Sequence, residues 1–219
     1  MLIHAPARQG GAATVEFYLV ALLALLPLCL GILQTALLLV ANHHVDNASF
    51  MAARQGAMHH GDVMTMRSEF ARSLTPMLIA AGPVDRGNVT ERVLATYAEA
   101  QREVTLFARI EVLSPDAKAQ KDFAQTRDGR RIIPNDSLTF RSAASGEGSS
   151  ESLQEANILR VRFTYCRPLI IPFVRQFMLG FLQRIDTDAW HRRCYAADRV
   201  PIVSVGTSPM QSDFLIAGS

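Results

Sequence analysis

Phe17 to Ala41 reads FYLVALLALLPLCLGILQTALLLVA, 25 consecutive residues without a formal charge. As an α-helix rising about 1.5 Å per residue it reaches roughly 37 Å, enough to cross a hydrocarbon core of about 30 Å with some tilt. The stretch therefore predicts a transmembrane helix. On its N-terminal side the short arm carries Arg8 and no acid before Glu16, whereas the far side opens with His43, His44 and Asp46. Basic residues stay on the cytoplasmic side, so the long C-terminal part is expected outside the cytoplasm.

Beyond the first forty residues the composition is that of an ordinary water-soluble domain. The 49% hydrophobic content of the whole chain averages over two solvents. A length of 219 residues leaves room for one modest domain beside the helix. With 22 Lys and Arg against 20 Asp and Glu, the net charge of +2 is too balanced for an electrostatic nucleic-acid binder. Three cysteines are too few for a disulfide scaffold.

A secretory signal peptide also has a basic start and an apolar run, but its core is usually about 7 to 15 residues long. No small-x-small pair follows this run closely: Leu39 precedes Ala41 by two positions and Asp46 precedes Ala48 by two. Glu16 lies directly against the start of the run, where an unpaired charge in lipid would cost on the order of a few kcal/mol. A plain signal anchor would use it only to mark the cytoplasmic interface.

Gly10-Gly11-Ala12-Ala13-Thr14-Val15-Glu16-Phe17 resembles the processing site of class III signal peptides in type IV pilins, and is closest to TadE-like pseudopilins of the tight-adherence (Tad, Flp pilus) system. Four features coincide: a basic arm, a glycine, a glutamate at the family's offset and a long apolar helix. The resemblance implies that a prepilin peptidase cuts between Gly11 and Ala12 on the cytoplasmic face, leaving Glu16 as the fifth mature residue. Glycine lets a peptidase approach the backbone. The cut would free an ammonium at Ala12, and in a bundle the Glu16 carboxylate of one subunit would pair with the ammonium of the next, offsetting the burial of both charges. Glu16 is then an assembly residue, not a catalytic one. Pro27 and Gly31, four residues apart in mid-span, are expected to kink or soften the helix, and Cys29 between them reads as a small lipid-facing residue.

Ala41, Val45, Ala48, Ala52 and Gly56 recur at helical spacing as a seam of small side chains that extends the helix past the interface. The seam fits either the chain's own globular domain or neighbouring pilin-like helices. Met51, Met58, His59, His60, Met64 and Met66 offer thioether and imidazole, the donors of a copper site, yet no carboxylate or cysteine completes a ligand spacing, and methionine-rich helix faces are usually packing.

Farther on, Asp62 to Ala80 reads as a helix ended by Gly82-Pro83, and Thr90 to Arg102 as a weaker one. Thr105 to Leu113 alternates as a strand. Lys118 to Gln125 is a short helix, Asp128-Gly129 a turn, Leu138 to Arg141 a short strand, and Ser142 to Ser152 a flexible surface loop. Asn157 to Cys166 is a strand, Pro168 to Ile185 an amphipathic helix too short and too charged to span, and Val200 to Val205 a terminal strand. The apolar face at Ile170, Val174, Phe177 and Phe181 is taken as core; left exposed, it would be a partner or membrane surface. Asn47, Asn88 and Asn135 fit N-x-Ser/Thr, a pattern frequent by chance.

Cys166 and Cys194 flank that helix. In an oxidising compartment they are expected to form a disulfide worth about 3.6 kcal/mol on the chain-entropy model, against the alternative of two reduced buried thiols. Their surroundings, Tyr-Cys and Arg-Cys-Tyr followed by RVPIV and SPMQS, also resemble the C-terminal region of TadE-like proteins.

No G-x-S-x-G, G-x-x-x-x-G-K, H-E-x-x-H or C-x-x-C occurs, so no catalytic, cofactor or metal residue is assigned. The expected fold is α+β: a long N-terminal transmembrane helix extending into a pilin-like globular head with a small, mostly antiparallel sheet and flanking helices. Residues 1–11 are the leader, 12–41 the span, 42–60 a helical stalk and 61–219 a periplasmic domain. The resemblance implies a minor pilin-like (pseudopilin) component of pilus assembly and secretion in the inner membrane, N-terminus cytoplasmic. Its partners would be prepilin peptidase, other pseudopilins, the major pilin and the inner-membrane assembly platform. An unprocessed, single-pass periplasmic scaffold or binding module is the alternative, and an anchored enzyme with a deep titratable pocket is a third.

Overall fold

In the computed structural model, residues 12–81 and 88–216 are described. Thr14 to Met58 is one unbroken helical stretch, built from α1 (Ala12–Val20), a π-helical turn (Ala21–Leu25) and α2 (Leu26–Met58). The wide turn falls just ahead of Pro27, whose missing N–H and bulky ring displace the carbonyl one turn earlier; the π geometry absorbs that displacement. Helix α2 ends where His60 and Gly61 take positive φ of 58° and 75° and Gly61 N–H donates to Gly56 O at 2.9 Å, a left-handed stop that favours glycine.

After that stop come α3 (Val63–Ala81), α4 (Val89–Phe107), β1 (Ala108–Ser114), α5 (Ala117–Asp122), β2 (Gln125–Arg127), β3 (Arg130–Ile133), a 3-10 turn (Leu138–Phe140), α6 (Leu153–Ala156), β4 (Ile158–Pro168), α7 (Pro172–Ile185), α8 (Ala189–Ala196), β5 (Arg199–Pro209) and β6 (Phe214–Leu215). The class is α+β with two small antiparallel sheets, ordered β1-β4-β5 and β2-β3-β6. Contacts divide the chain into two compact units. One holds the residues up to Leu39 with Pro168–Arg199, and the other Val40–Arg167 with the residues from Val200 onward.

In the second unit the core is aromatic at its centre. Phe70 of α3 stacks on Phe163 of β4 at 4.9 Å between ring centroids and meets Tyr165 edge-on at 6.4 Å; all three are buried, the arrangement in which ring quadrupoles attract. Ala100 and Val104 of α4 join this cluster. On β1–β4 the register pairs Ile110 with Phe163 and Val112 with Val161. The small seam at Ala41, Val45, Ala48, Ala52 and Gly56 is buried within this unit, so it closes on the chain's own head.

Helix α3 starts where Asp62 caps it, its Oδ2 accepting from Thr65 N–H at 2.8 Å and from the Thr65 hydroxyl at 2.6 Å. The Gly82-Pro83 stop lies outside the described residues. Asn88 caps α4 by accepting from Thr90 N–H, and α4 runs on to Phe107; Thr105 to Phe107, expected to open a strand, are helical because buried Val104 keeps that last turn packed. Asp128 and Gly129 turn the β2–β3 hairpin with φ of 51° and 76°. Leu138 to Phe140 is a 3-10 turn and not a strand, and Phe140 is 92% exposed. The Ser142 to Ser152 loop is tied down, since Asp122 accepts from Gly148 and Ser149 N–H at 3.0 and 2.8 Å. Helix α7 opens at Pro172 instead of Pro168 because β4 continues to Pro168.

Candidate functional site

A helix apolar on all sides must either be buried or meet an apolar solvent. From Val15 to Val40 the side chains are open: Phe17, Leu23, Leu28, Ile32 and Leu39 are each more than half exposed. Cys29 is a free, exposed cysteine, as a lipid-facing reading requires. Among the described residues this is the one helix long and apolar enough to cross a membrane, which suggests a single membrane anchor. Glu16 sits exposed on its first turns between Val15 and Phe17, and no ion pair among the described residues involves it. Gly11 lies outside the described residues; α1 opens at Ala12.

Gln34 breaks the pattern of exposure. It is 1% exposed, and its Oε1 accepts from Ile171 N–H at 3.1 Å, one residue ahead of α7. A side-chain amide in a membrane segment needs such a partner, and so does an orphan N–H at a helix start. Sequence reasoning passed over Gln34, although it is the only amide inside the uncharged run. Between the long helix and α7 lies an apolar cavity of about 860 Å³, lined on one side by Leu23, Pro27, Gly31 and Leu39, among others, and on the other by Val174, Phe177 and Met178. Among the described residues Thr35 is its one polar lining side chain, and that hydroxyl already donates to Gly31 O at 2.9 Å.

Helix α7 is not core on its apolar side. Phe177 is 84% exposed, and Phe181, Ile185 and Ile170 are each more than half exposed, while Leu179 on the opposite side is buried. The expectation of a buried face is overturned, because the hydrophobic period fixes which residues share a face and not what that face meets.

Cys166 and Cys194 are disulfide-bonded and both buried. The turn from α7 into α8 is held by Asp186: its Oδ2 accepts from the Tyr195 hydroxyl at 2.6 Å and from His191 Nδ1 at 2.7 Å. Asp188 caps α8, accepting from the backbone of Trp190 and His191. The Tyr195 hydroxyl, with help from the Asp188 backbone and from His191, pulls the Asp186 carboxyl down from 3.8 to about 2. Burial, then the neighbouring Asp186, holds the Tyr195 phenol above its ordinary value, so it remains a donor. Among the described residues no Ser, Thr or Cys side chain hydrogen-bonds His191, so the trio ties a turn and does not form a nucleophile with its base.

A folded-state value below the unfolded one means that the ionised Asp186 stabilises the fold at neutral pH and that this contribution fades as pH falls from 3.8 toward about 2. Thermal melts of wild type and Asp186→Asn should therefore differ most near pH 7, draw together below pH 3.8 and converge only below about pH 2. A constant difference across that range would show that the carboxylate charge is immaterial.

On the second unit Arg127 bridges Asp213 at 2.9 Å and Asp136 at 3.3 Å, and Arg141 closes on Asp136 at 2.7 Å, beside a cavity of about 270 Å³ that includes His60. These charges pair with one another and surface pairs contribute little. The methionine and histidine run does not converge: Met66 is in the core, Met64 is 69% exposed, His59 Nδ1 meets Gln55 O and His60 Nδ1 meets Asp213 O. Among the described residues no three His, Cys, Asp or Glu side chains gather as a metal site.

Residues 11–54 match the model of the TadE-like protein family. No curated protein and no solved structure matches the chain.

Proposed function

We propose that this protein is a minor pilin-like component of Tad-type pilus assembly, anchored in the inner membrane with its N-terminus cytoplasmic and trimmed by a prepilin peptidase between Gly11 and Ala12. The family match over residues 11–54 carries the reading, because it opens at the proposed cut and takes in Glu16 and the whole uncharged run of Phe17 to Ala41. The single anchor and the disulfide agree with a head outside the cytoplasm. Glu16, exposed at the start of the apolar helix, is available to a neighbouring subunit's new ammonium, and a shared interior of such helices would make the pair worth forming. The role is structural, consistent with a family that is not generally enzymatic. Other pseudopilins, the major pilin and the inner-membrane platform are the expected partners.

The test is the mass and N-terminal sequence of membrane-extracted protein from cells with and without prepilin peptidase, and from a Gly11→Val variant. The expected mature terminus is Ala12, lost in both controls. A terminus at Met1 in every sample would leave an unprocessed single-pass scaffold instead.

A further inference from the structure

We propose that α7 is a second membrane element of this chain, its face of Val174, Phe177, Phe181 and Ile185 immersed among lipid acyl chains beside the anchor helix, with acyl chains filling the groove between the two. The proposal rests on the reading of residues 17–41 as a membrane span. It does not rest on processing or on pilus assembly.

Position comes first. Helix α7 is seated by the Gln34–Ile171 hydrogen bond, and Gln34 lies seven residues inside the distal end of the apolar run, about 10 Å along the helix axis. From there Val174, Phe177 and Met178 share one groove with residues between Leu23 and Leu39 of the span. Whatever solvent surrounds those leucines also reaches α7. The helix has 14 residues, about 21 Å, too short to cross a bilayer, so it enters the apolar layer without spanning it.

Chemistry then selects the occupant. Phe177, Phe181 and Ile185, all more than half exposed, form an apolar surface continuous with the exposed leucines of the span, larger than water tolerates without a reason. The groove offers no polar handle, since the Thr35 hydroxyl is satisfied within its own helix, and Gln34, buried with its Oε1 taken by Ile171 N–H, is not part of its lining. An aliphatic chain is the ligand that such a lining accepts. The polar residues fall where lipid permits them: Gln176 and Gln183 lie on the other side of α7, Arg175 pairs with Asp198 at 3.7 Å, and Arg184 in the last turn is long enough to snorkel. An apolar face with a basic rim is the pattern of helices that lie in the membrane interface.

Depth quenching tests this in the full chain, with Cys29→Ser to clear the free thiol. Single cysteines at Phe177, Phe181, Leu33 and Phe140 would carry an environment-sensitive fluorophore, with the protein reconstituted in phosphatidylethanolamine–phosphatidylglycerol vesicles containing acyl-chain nitroxide lipids. Phe177→Cys and Phe181→Cys should lose at least half their fluorescence, as should Leu33→Cys in the span, whereas Phe140→Cys, on an equally exposed aromatic of the head, should not. Quenching at position 33 with none at 177 or 181 would overturn the proposal and leave the anchor standing. No quenching at 33 would remove the anchor reading and this proposal together. Crosslinking between copies through position 177, without quenching, would assign the face to a second chain and also overturn it.

Discussion

Gly206→Ala is expected to destabilise the head by about 3 kcal/mol, the upper end of the cost of overpacking a close contact. Gly206 lies in β5 against Ser49 and Ala53 of α2, the residues that follow Ala48 and Ala52 of the small seam. A Cβ there would fall on the backbone carbonyl oxygen of Ser49 and within 2.8 Å of the Ala53 Cβ. Neither neighbour can rotate away: one is main chain and the other is a single methyl group. Ser49 is itself fixed, its hydroxyl donating to Val45 O at 2.8 Å in a buried position. The only relief is to move the helix off the strand, which opens the core beneath. For a chain of this size the loss should appear as a fall in Tm of roughly 6–12 °C. Gly180→Ala is the control, because a Cβ there meets nothing within 4 Å and alanine is the better helix former. A Gly206→Ala melt within 2 °C of wild type would mean that the helix and strand do not need to touch.

Replacing Cys166 and Cys194 together by alanine should cost about 3.6 kcal/mol, because the unfolded chain regains the loop entropy that the bridge removes. Both sulfurs are buried, so reductant alone should act slowly on the folded protein and fully once denaturant opens it. Alanine is preferred to serine, since a buried hydroxyl without a partner would add its own penalty. The measurement is the denaturant midpoint of wild type with and without reductant beside that of the double variant. Coincident midpoints for all three would show that the bridge contributes nothing to the fold.

Much of this architecture is legible without coordinates, and the reason is local. Twenty-five uncharged residues state their solvent whatever surrounds them, and Glu16 is set against that run by position alone. The 3.6-residue period places α3 to within a residue, and Asp128-Gly129 specifies its turn because left-handed backbone favours those residue types. Where sequence reading failed, a long-range contact outweighed a local signal. Thr105 to Phe107 open the alternating stretch of Thr105 to Leu113 yet finish a helix whose last turn buries Val104, and β2, β3 and β6 are too short to leave a pattern of their own. Helix α8, basic and mixed in composition, carries no apolar period to announce it, although Asp188 stands at its start as a cap.

The candidate site divides in the same way. The sequence by itself determined the anchor, the glutamate at its start, the seam of small residues and the two cysteines, since each depends on neighbours near in the chain or on residue type. Only the tertiary structure decided that Ser49 and Ala53, beside the seam, meet Gly206 of β5, that Gln34 holds the start of α7, and that the apolar face of α7 lies open. Those facts join segments more than a hundred residues apart. Helical periodicity says which side chains share a face, but the surface that face meets is chosen by packing among distant segments, and no local spacing encodes it.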